Sequence, residues 1–144
     1  MKNVKEILRS KAKSDVYTIA PDATVLSAIQ LMAEKSIGSL LVMESNKLVG
    51  IITERDYSRK VILAGKSSRN TMVKEIMDQS LLVIKPGTTI EECMALMIEN
   101  SVRYLPVIEE GQVIGVISMG NVVNTIISEQ NIVIKNLNQY IMQG

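Results

Sequence analysis

The sequence predicts a mixed α/β fold that belongs to the α+β class. It is built from two β-α-β-β-α units that pack sheet to sheet with pseudo-two-fold symmetry. The first observation is an internal repeat: a shift of 65 residues aligns residues 19–53 with 84–118, giving 12 identities in 35 positions without a gap. The second is a preceding motif that also recurs, Val4-Lys5-Glu6-Ile7-Leu8 and Val73-Lys74-Glu75-Ile76-Met77. Because neither unit alone can bury both faces of a three-stranded sheet, we expect the two sheets to cover each other.

The first strand and helix of each unit follow from local patterns. Residues 16–19 form a short apolar run that ends at Pro21, which predicts a strand. Thr24 is the expected N-cap of a helix over residues 25–35, rich in leucine, isoleucine, methionine and alanine. Gly38 is expected to end that helix.

A hairpin and a second helix complete the unit. Residues 39–43 and 48–52 are apolar and are joined by a predicted four-residue turn at 44–47. Thr53 then opens a helix expected to run to about Ala64, with Gly65 as its stop.

These elements divide the chain into five segments. They are an N-terminal helix and connector at residues 1–15, repeat 1 at 16–65, a linker with the recurrent motif at 66–80, repeat 2 at 81–128, and an amphipathic tail at 129–144. The β-branched run at residues 132–134 disfavours one unbroken helix in this region. The surplus apolar surface either covers its own module or forms a subunit interface, and we expect a homodimer.

The composition excludes several classes of function. The 144 residues are 47% hydrophobic with a formal net charge of +1, and they contain no histidine, so the commonest general base and metal ligand is absent. Cys93 is the single cysteine, which excludes a disulfide within the chain, and we expect it to be a small core residue rather than a redox switch. With no N-terminal apolar signal segment and no apolar run of spanning length, we expect a cytoplasmic protein that binds no membrane.

The stretch Gly50-Ile-Ile-Thr-Glu-Arg-Asp-Tyr57 combines groups that suit a nucleotide. Gly50 lets another group approach the backbone, and Thr53 stands at a helix start, where free N–H groups favour phosphate. The carboxylate of Asp56 can accept two hydrogen bonds from a ribose diol. A plain capping box between Thr53 and Asp56 is the alternative interpretation.

The duplicated unit, with Leu105-Pro106-Val107 in the second hairpin and Gly-Ile-Ile-Thr-Glu-Arg-Asp after the first, resembles the tandem CBS-domain pair, or Bateman module, of stand-alone CBS-domain proteins. The resemblance covers residues 16–127. It implies a non-catalytic sensor of an adenine nucleotide, such as AMP, ADP, ATP or NAD, with S-adenosylmethionine as a further family ligand. It also implies pairing of two such modules.

The resemblance further implies two nucleotide sites in the cleft between the repeats, each combining a hydroxyl-x-x-carboxylate motif with the first strand and hairpin of the other repeat. Site A would comprise Thr53, Arg55, Asp56, Arg59, Val83, Ile84, Arg103, Tyr104, Leu105 and Pro106. The arginines would reach phosphate, and Arg59 is equally interpretable as a surface residue. Tyr104 would flank the base or face outward, and backbone groups near Ile84 and Leu105 would recognise adenine.

Site B departs from the pattern because Asn121 replaces the acidic residue and Met119-Gly120 replaces Glu54-Arg55. An amide lacks the charge-assisted pair of hydrogen bonds that a carboxylate offers a diol, so we expect site B to be the weaker site. It would comprise Thr18, Ile19, Ala20, Gly38, Ser39, Leu40, Ser118 and Asn121. An elongated ligand such as NAD that spans both sites remains an alternative.

The function expected from these observations is regulation: nucleotide binding would alter dimer geometry, and a partner protein would respond. Three alternatives stay open. An enzyme would use Asp56 or Glu54 as acid or base. A nucleic-acid binder would use residues 53–74, where six basic side chains face two acidic ones, although aromatic platforms are lacking. A structural dimer would carry degenerate sites.

Overall fold

The computed structural model describes residues 2–10 and 16–143, and the chain forms two units. The repeat-1 unit spans residues 15–82, and the repeat-2 unit joins residues 1–14 to residues 83–144. The connector predicted at residues 11–14 lies outside the described residues.

The helices and strands follow the predicted order, apart from the first strand of repeat 2. They are α1 (Val4–Ser10), β1 (Thr18–Ile19), α2 (Val25–Lys35), β2 (Ser39–Glu44), β3 (Lys47–Thr53), α3 (Glu54–Tyr57), a π-helical turn (Ser58–Ile62), α4 (Val73–Ile76), α5 (Ile90–Asn100), β4 (Tyr104–Glu109), β5 (Gln112–Ser118) and α6 (Met119–Gln143). The α+β class is therefore confirmed. Of the described helices, none is both long and apolar enough to cross a membrane.

In the repeat-1 unit a three-stranded sheet has the order β1-β2-β3, with β1 parallel and β3 antiparallel to β2. The predicted strand at residues 16–19 is shorter in the structure, because only Thr18 and Ile19 pair with β2. Helix α2 packs an apolar stripe against the sheet, since residues four apart lie on one helix face. The core comprises Val25, Ala28, Met32, Leu40, Val42, Ile52, Val61, Val73 and Ile76.

In the repeat-2 unit the hairpin of β4 and β5 has the same register as the hairpin of β2 and β3. The expected third strand is reduced to one parallel bridge between Ile84 and Val107, so this sheet has two strands rather than three. Its buried side chains include Ile90, Cys93, Met97, Leu105, Val107, Ile117 and Val122.

Both hairpins turn more tightly than predicted. Glu44 pairs with Lys47, so the first turn contains two residues rather than four. Ser45 and Asn46 have φ angles of 50° and 64°, and a two-residue turn with positive φ at both positions matches the right-handed twist of its strands. The second hairpin turns in the same way, at Glu110 and Gly111.

The predicted N-cap of α2 and its predicted last residue, Lys35, are confirmed, but the helix is ended by Ser36 rather than by Gly38. The Thr24 hydroxyl accepts a hydrogen bond of 3.1 Å from the backbone N–H of Ser27. The helix ends at Lys35 because Ser36 adopts a left-handed conformation with a φ of 55°, two residues before Gly38. Ser101 ends α5 in the same way with a φ of 54°.

The helix after Thr53 also differs from the prediction of one α-helix to about Ala64. Four α-helical residues are followed by the π-helical turn, in which the Leu63 N–H donates to the Ser58 carbonyl over 3.0 Å. Such i→i+5 turns are rare and are enriched at functional sites. Gly65, with a φ of 71°, follows this segment as expected.

Each copy of the recurrent motif packs on the repeat that it does not directly precede. The copy that precedes repeat 1 forms α1, which belongs to the repeat-2 unit: the Val4 N–H donates to the Thr88 carbonyl over 2.9 Å. The copy that precedes repeat 2 forms α4, which belongs to the repeat-1 unit, and the Val73 N–H donates to the Ala23 carbonyl over 2.8 Å. These two contacts correspond position by position in the repeat, so each unit contains the motif that precedes the other repeat, and only the repeat-2 unit takes its motif from a distant part of the chain.

The tail does not form a separate segment. Helix α6 runs without a break from Met119 to Gln143 across the expected boundary at residue 128. The β-branched run at residues 132–134, which disfavoured one unbroken helix, lies inside α6 and does not interrupt it. β-Branching lowers helix propensity only slightly, and three such residues do not end a 25-residue helix.

Candidate functional site

The predicted hydroxyl and carboxylate lie together at the end of β3. The backbone N–H of Asp56 donates to Thr53 Oγ1 over 3.1 Å, and the backbone N–H and the hydroxyl of Thr53 both donate to Asp56 Oδ2 over 3.0 Å. This reciprocal arrangement is a capping box, which satisfies free N–H groups at the start of α3. The capping interpretation is therefore confirmed, and one carboxylate oxygen is already occupied by the protein itself.

The second carboxylate oxygen is held by a lysine. Lys60 Nζ lies 3.2 Å from Asp56 Oδ1 and donates to the Ile76 carbonyl at the end of α4 over 2.9 Å. The side chain of Asp56 is 16% exposed and that of Lys60 is 47% exposed, so the pair sits at the surface with its carboxylate mostly covered. A ribose diol at Asp56 would have to share or replace the lysine.

The repeat-2 unit contains the same box with an amide. The Ser118 N–H donates to Asn121 Oδ1 over 2.9 Å, and the Asn121 N–H donates to Ser118 Oγ over 3.1 Å. Thr125, which corresponds to Lys60, donates instead to the Asn121 carbonyl over 2.8 Å. Capping is thus preserved in both repeats, whereas the ion pair belongs to repeat 1 alone.

The repeat-1 unit joins one half of each predicted site. Beside the Thr53 box lies the strand half of site B: the Glu54 N–H donates to the Gly38 carbonyl over 3.1 Å, and Ser39 pairs with Thr53. The flanking site residues are Arg55 and Arg59, both exposed, and Thr18, Ile19, Ala20 and Leu40. Leu40 is a core side chain at 1% exposure, so only its backbone can contribute.

The repeat-2 unit joins the complementary halves. The Met119 N–H donates to the Arg103 carbonyl over 2.8 Å, and Tyr104 pairs with Ser118. Leu105, Pro106 and Ile84 are buried, whereas Arg103 and Val83 are exposed. The combination of halves from different repeats stays a prediction.

The backbone of Ile84 is committed to the sheet. Its N–H donates to the Pro106 carbonyl over 2.9 Å, and its carbonyl accepts from the Ile108 N–H over 2.9 Å. The Ile84 N–H therefore cannot donate to a base without breaking the bridge. The side chain of Val83, the preceding site residue, is 45% exposed.

Gly50 makes room for the protein rather than for a ligand. A Cβ at this position would lie 2.6 Å from Met77 Sδ and 3.1 Å from the Asp78 carbonyl oxygen. At the matching Gly115, a Cβ would lie 2.6 Å from Leu8 Cδ2. Met77 and Leu8 are the last residues of the two recurrent motifs, so both glycines accommodate the packing of that motif on a hairpin.

Among the described residues, Cys93 and Lys74 have structural roles. Burial, followed by the charges of Glu92 and Glu91, raises the pKa of the Cys93 thiol to about 11, so it is protonated at neutral pH. Its expected place in the core is confirmed by an exposure of 0%. Within residues 2–10 and 16–143 no three cysteine, aspartate or glutamate side chains lie close enough to hold a metal ion. In the basic segment, Lys74 pairs with Asp22 over 3.3 Å.

Comparison with known proteins decides the family. The sequence profile of the CBS domain matches residues 4–62 and 73–128, which are the two repeats with their recurrent motifs. The chain belongs to the CBS domain family. The resemblance stated from the sequence is thereby confirmed, and the chain is a tandem CBS pair.

Two relatives illustrate the similarity. The mitochondrial CBS domain-containing protein CBSX3 of Arabidopsis thaliana is 37% identical over 149 residues, which cover 98% of this chain and 72% of that protein. A CBS-domain protein from Burkholderia ambifaria, whose proposed role is signal transduction, has a solved structure with 44% identity and a TM-score of 0.87. That match covers 90% of this chain and 96% of the other.

A more distant CBS pair, MJ0100, has been solved in complex with 5′-methylthioadenosine and S-adenosylmethionine. It is 19% identical, with a TM-score of 0.78 over 90% of this chain and 98% of that one, so the likeness to this chain is one of fold. CBS pairs thus include proteins that bind adenosine compounds.

Proposed function

We propose that this CBS pair is a non-catalytic regulatory module that binds an adenine nucleotide, such as AMP, ADP, ATP or NAD, through its Thr53–Asp56 box. The observation that carries the proposal is the asymmetry of the two boxes. Both boxes accept hydrogen bonds from free N–H groups at a helix start. Only the first contains a carboxylate, and only the first has exposed arginines beside it, at positions 55 and 59. A carboxylate suits a ribose diol, and planar guanidinium groups suit phosphate.

The proposed regulation follows from where the box is anchored. Lys60 connects Asp56 to the Ile76 carbonyl at the end of α4. A ribose that takes over Asp56 Oδ1 would release this lysine and loosen a connection between the binding surface and α4. A homodimer whose geometry responds to this change, and a partner protein that recognises it, complete the proposal.

The absence of catalysis is part of the proposal. The sequence has no histidine, and the Cys93 thiol is buried and protonated, so neither supplies an activated base or nucleophile. Incubation of the protein with AMP, ADP, ATP and NAD, followed by chromatography, should return each nucleotide unchanged. Turnover that is lost in Asp56→Asn would favour the enzyme alternative.

A thermal-shift panel of AMP, ADP, ATP, NAD, NADH and S-adenosylmethionine tests nucleotide binding. A ligand that binds only the native state at a hundred times its Kd adds about 2.7 kcal/mol to the free energy of unfolding. For a chain of this size that raises Tm by about 5–10 °C. We expect at least one nucleotide to do so, whereas no shift in the whole panel would contradict the proposal.

Two substitutions that exchange the residue types at positions 56 and 121 provide matched controls. Asp56→Asn keeps an acceptor for the cap, as Asn121 does in repeat 2, and loses only the ion pair with Lys60, so the unliganded Tm should fall by about 4 °C at most. The nucleotide-induced shift should fall, because the amide lacks the second charged oxygen. Asn121→Asp should leave the first site intact and strengthen the second. If Asp56→Asn binds as the wild type does, Asp56 is only a capping residue.

A further inference from the structure

Helix α6 extends well beyond the part that packs on its own unit. Val122 is fully buried against the repeat-2 unit, and the neighbouring turns are partly covered. From residue 130 to residue 142 every side chain is exposed. About three and a half turns of helix therefore present their surface to solvent.

The exposed surface has a seven-residue period. Apolar side chains recur at alternating spacings of four and three, with a single polar exception at Gln130; these positions are Val123, Ile127, Gln130, Ile134, Leu137 and Ile141. The apolar members are 38%, 49%, 55%, 56% and 71% exposed in chain order. This spacing forms a narrow stripe of the kind that two helices bury against each other in a coiled coil. We call these six positions the α6 seam.

The two flanks of the seam differ from each other and keep the same period. One flank carries apolar side chains at positions 126, 133 and 140, which are isoleucine, valine and tyrosine. The other carries asparagine at positions 124, 131 and 138. A seven-residue recurrence in three separate rows is a pattern of helix pairing rather than of packing on a sheet.

We propose that the α6 seam pairs with the α6 seam of a second copy of this chain in antiparallel orientation. In an antiparallel pair each flank meets the same flank of the other helix, so apolar residues cover apolar residues and asparagines face asparagines. A parallel pair would set every apolar side chain against an asparagine. The antiparallel arrangement is also self-complementary, as a two-fold interface between identical copies requires.

The low charge of the helix favours a second copy over other occupants. Residues 119–143 contain one acidic and one basic side chain, Glu129 and Lys135. A single lysine gives little attraction to an anionic membrane surface, and the helix carries no charge pattern that would select a different protein. Gln130 is the single polar residue of the seam.

The register that uses all six seam positions makes a specific prediction. It places Val123 opposite Ile141, Ile127 opposite Leu137, and Gln130 opposite Ile134 of the second copy. Two Ile127 side chains would then lie about 15 Å apart along the axis, at 1.5 Å per residue. This geometry deepens the homodimer that forms part of the proposed function, but it does not depend on nucleotide binding.

Thiol cross-linking tests the pairing and its direction in the full chain. In a Cys93→Ala background, we expect neither Ile127→Cys nor Leu137→Cys alone to be linked by a short bismaleimide, because each residue is far from its own copy. An equimolar mixture of the two variants should be linked. Linking of each variant alone would overturn the antiparallel arrangement in favour of a parallel one, and no linking in any sample would overturn the pairing.

A matched pair of lysine substitutions tests the seam itself. Ile134 lies in the seam and Ile132 lies outside it, and both are 55% exposed, so the two substitutions cost their own unit equally little. Added to both cysteine variants, Ile134→Lys should abolish the linked product in the mixture and Ile132→Lys should retain it. Equal loss in both would overturn the assignment of the seam. The nucleotide-induced Tm shift, measured in parallel, reports separately on the proposed function.

Discussion

Replacement of Gly50 by alanine tests whether this glycine serves the packing of the protein or the approach of a ligand. The added Cβ would lie 2.6 Å from Met77 Sδ, 2.9 Å from Met77 Cγ and 3.1 Å from the Asp78 carbonyl oxygen. The methionine side chain can move, but the carbonyl cannot move freely, because Asp78 exchanges backbone hydrogen bonds of 3.0 and 2.9 Å with Ile51. The substitution must therefore displace the segment that follows α4.

Overpacking of this kind costs about 1–3 kcal/mol. A cost of about 2 kcal/mol would lower Tm by about 4–8 °C in a chain of this size. Gly115→Ala should cost less, because its Cβ would meet only the Leu8 side chain, at 2.6, 3.3 and 3.5 Å. Gly87→Ala is the control: its Cβ would have no neighbour within 4 Å, so Tm should stay the same or rise slightly.

Thermal unfolding of the three variants without ligand, read by circular dichroism, is the assay. The expected order of Tm is Gly87→Ala highest, Gly115→Ala intermediate and Gly50→Ala lowest. The reasoning is refuted if Gly50→Ala unfolds at the temperature of Gly87→Ala. If Gly50→Ala kept that Tm but lost the nucleotide-induced rise in Tm, Gly50 would serve the approach of a ligand, as the sequence indicated.

Two further predictions concern Lys60 and Cys93. Lys60→Met removes the ion pair with Asp56 and the hydrogen bond to the Ile76 carbonyl, so urea unfolding should show that the free energy of unfolding falls by about 1 kcal/mol. Calorimetry should show tighter binding of adenosine, because adenosine competes with Lys60 for Asp56. An unchanged free energy of unfolding would mean that these contacts contribute nothing to stability. The Cys93 thiol has its ordinary pKa of 9.0 in the unfolded state and a pKa of about 11 in the folded state. The folded state therefore keeps the thiol proton up to a higher pH, and the stability that Cys93 contributes is fully present below pH 9. Relative to Cys93→Ala, wild-type stability should therefore fall between pH 9 and 11, by up to about 2.7 kcal/mol, and parallel pH profiles of the two proteins would contradict this.

The sequence predicted those features that repeat locally. The 65-residue repeat identified the α+β class and both hairpins, because the matching apolar runs around Gly50 and Gly115 predict the same hairpin twice. The first tight turn was missed because Ser45 and Asn46 lack the glycine that usually marks positive φ at turn positions. The end of α2 at Lys35 was predicted, but the residue that stops the helix was not, since Ser36 takes the left-handed conformation expected of a glycine.

Features that depend on tertiary packing were not predictable. The recurrent motif has nearly the same sequence in both copies, so nothing local specifies that the copy before repeat 1 packs on repeat 2. The same holds for the Thr53 box. Its capping role was visible from the spacing of three residues, whereas the bond from Lys60 to the Ile76 carbonyl joins positions 16 residues apart and required the placement of α4.

The comparison of the two boxes bears most directly on function. Capping needs only an acceptor at the third helical position, and Asn121 shows that an amide supplies it at 2.9 Å. The charge on Asp56 is therefore more than the local structure requires. Repeat 2 lacks both members of the charged pair, since asparagine and threonine stand where repeat 1 has Asp56 and Lys60. Capping alone does not require a lysine that also bonds the end of α4. In the proposed function a ribose would displace Lys60 from Asp56, and binding would thereby change the contact between the box and α4.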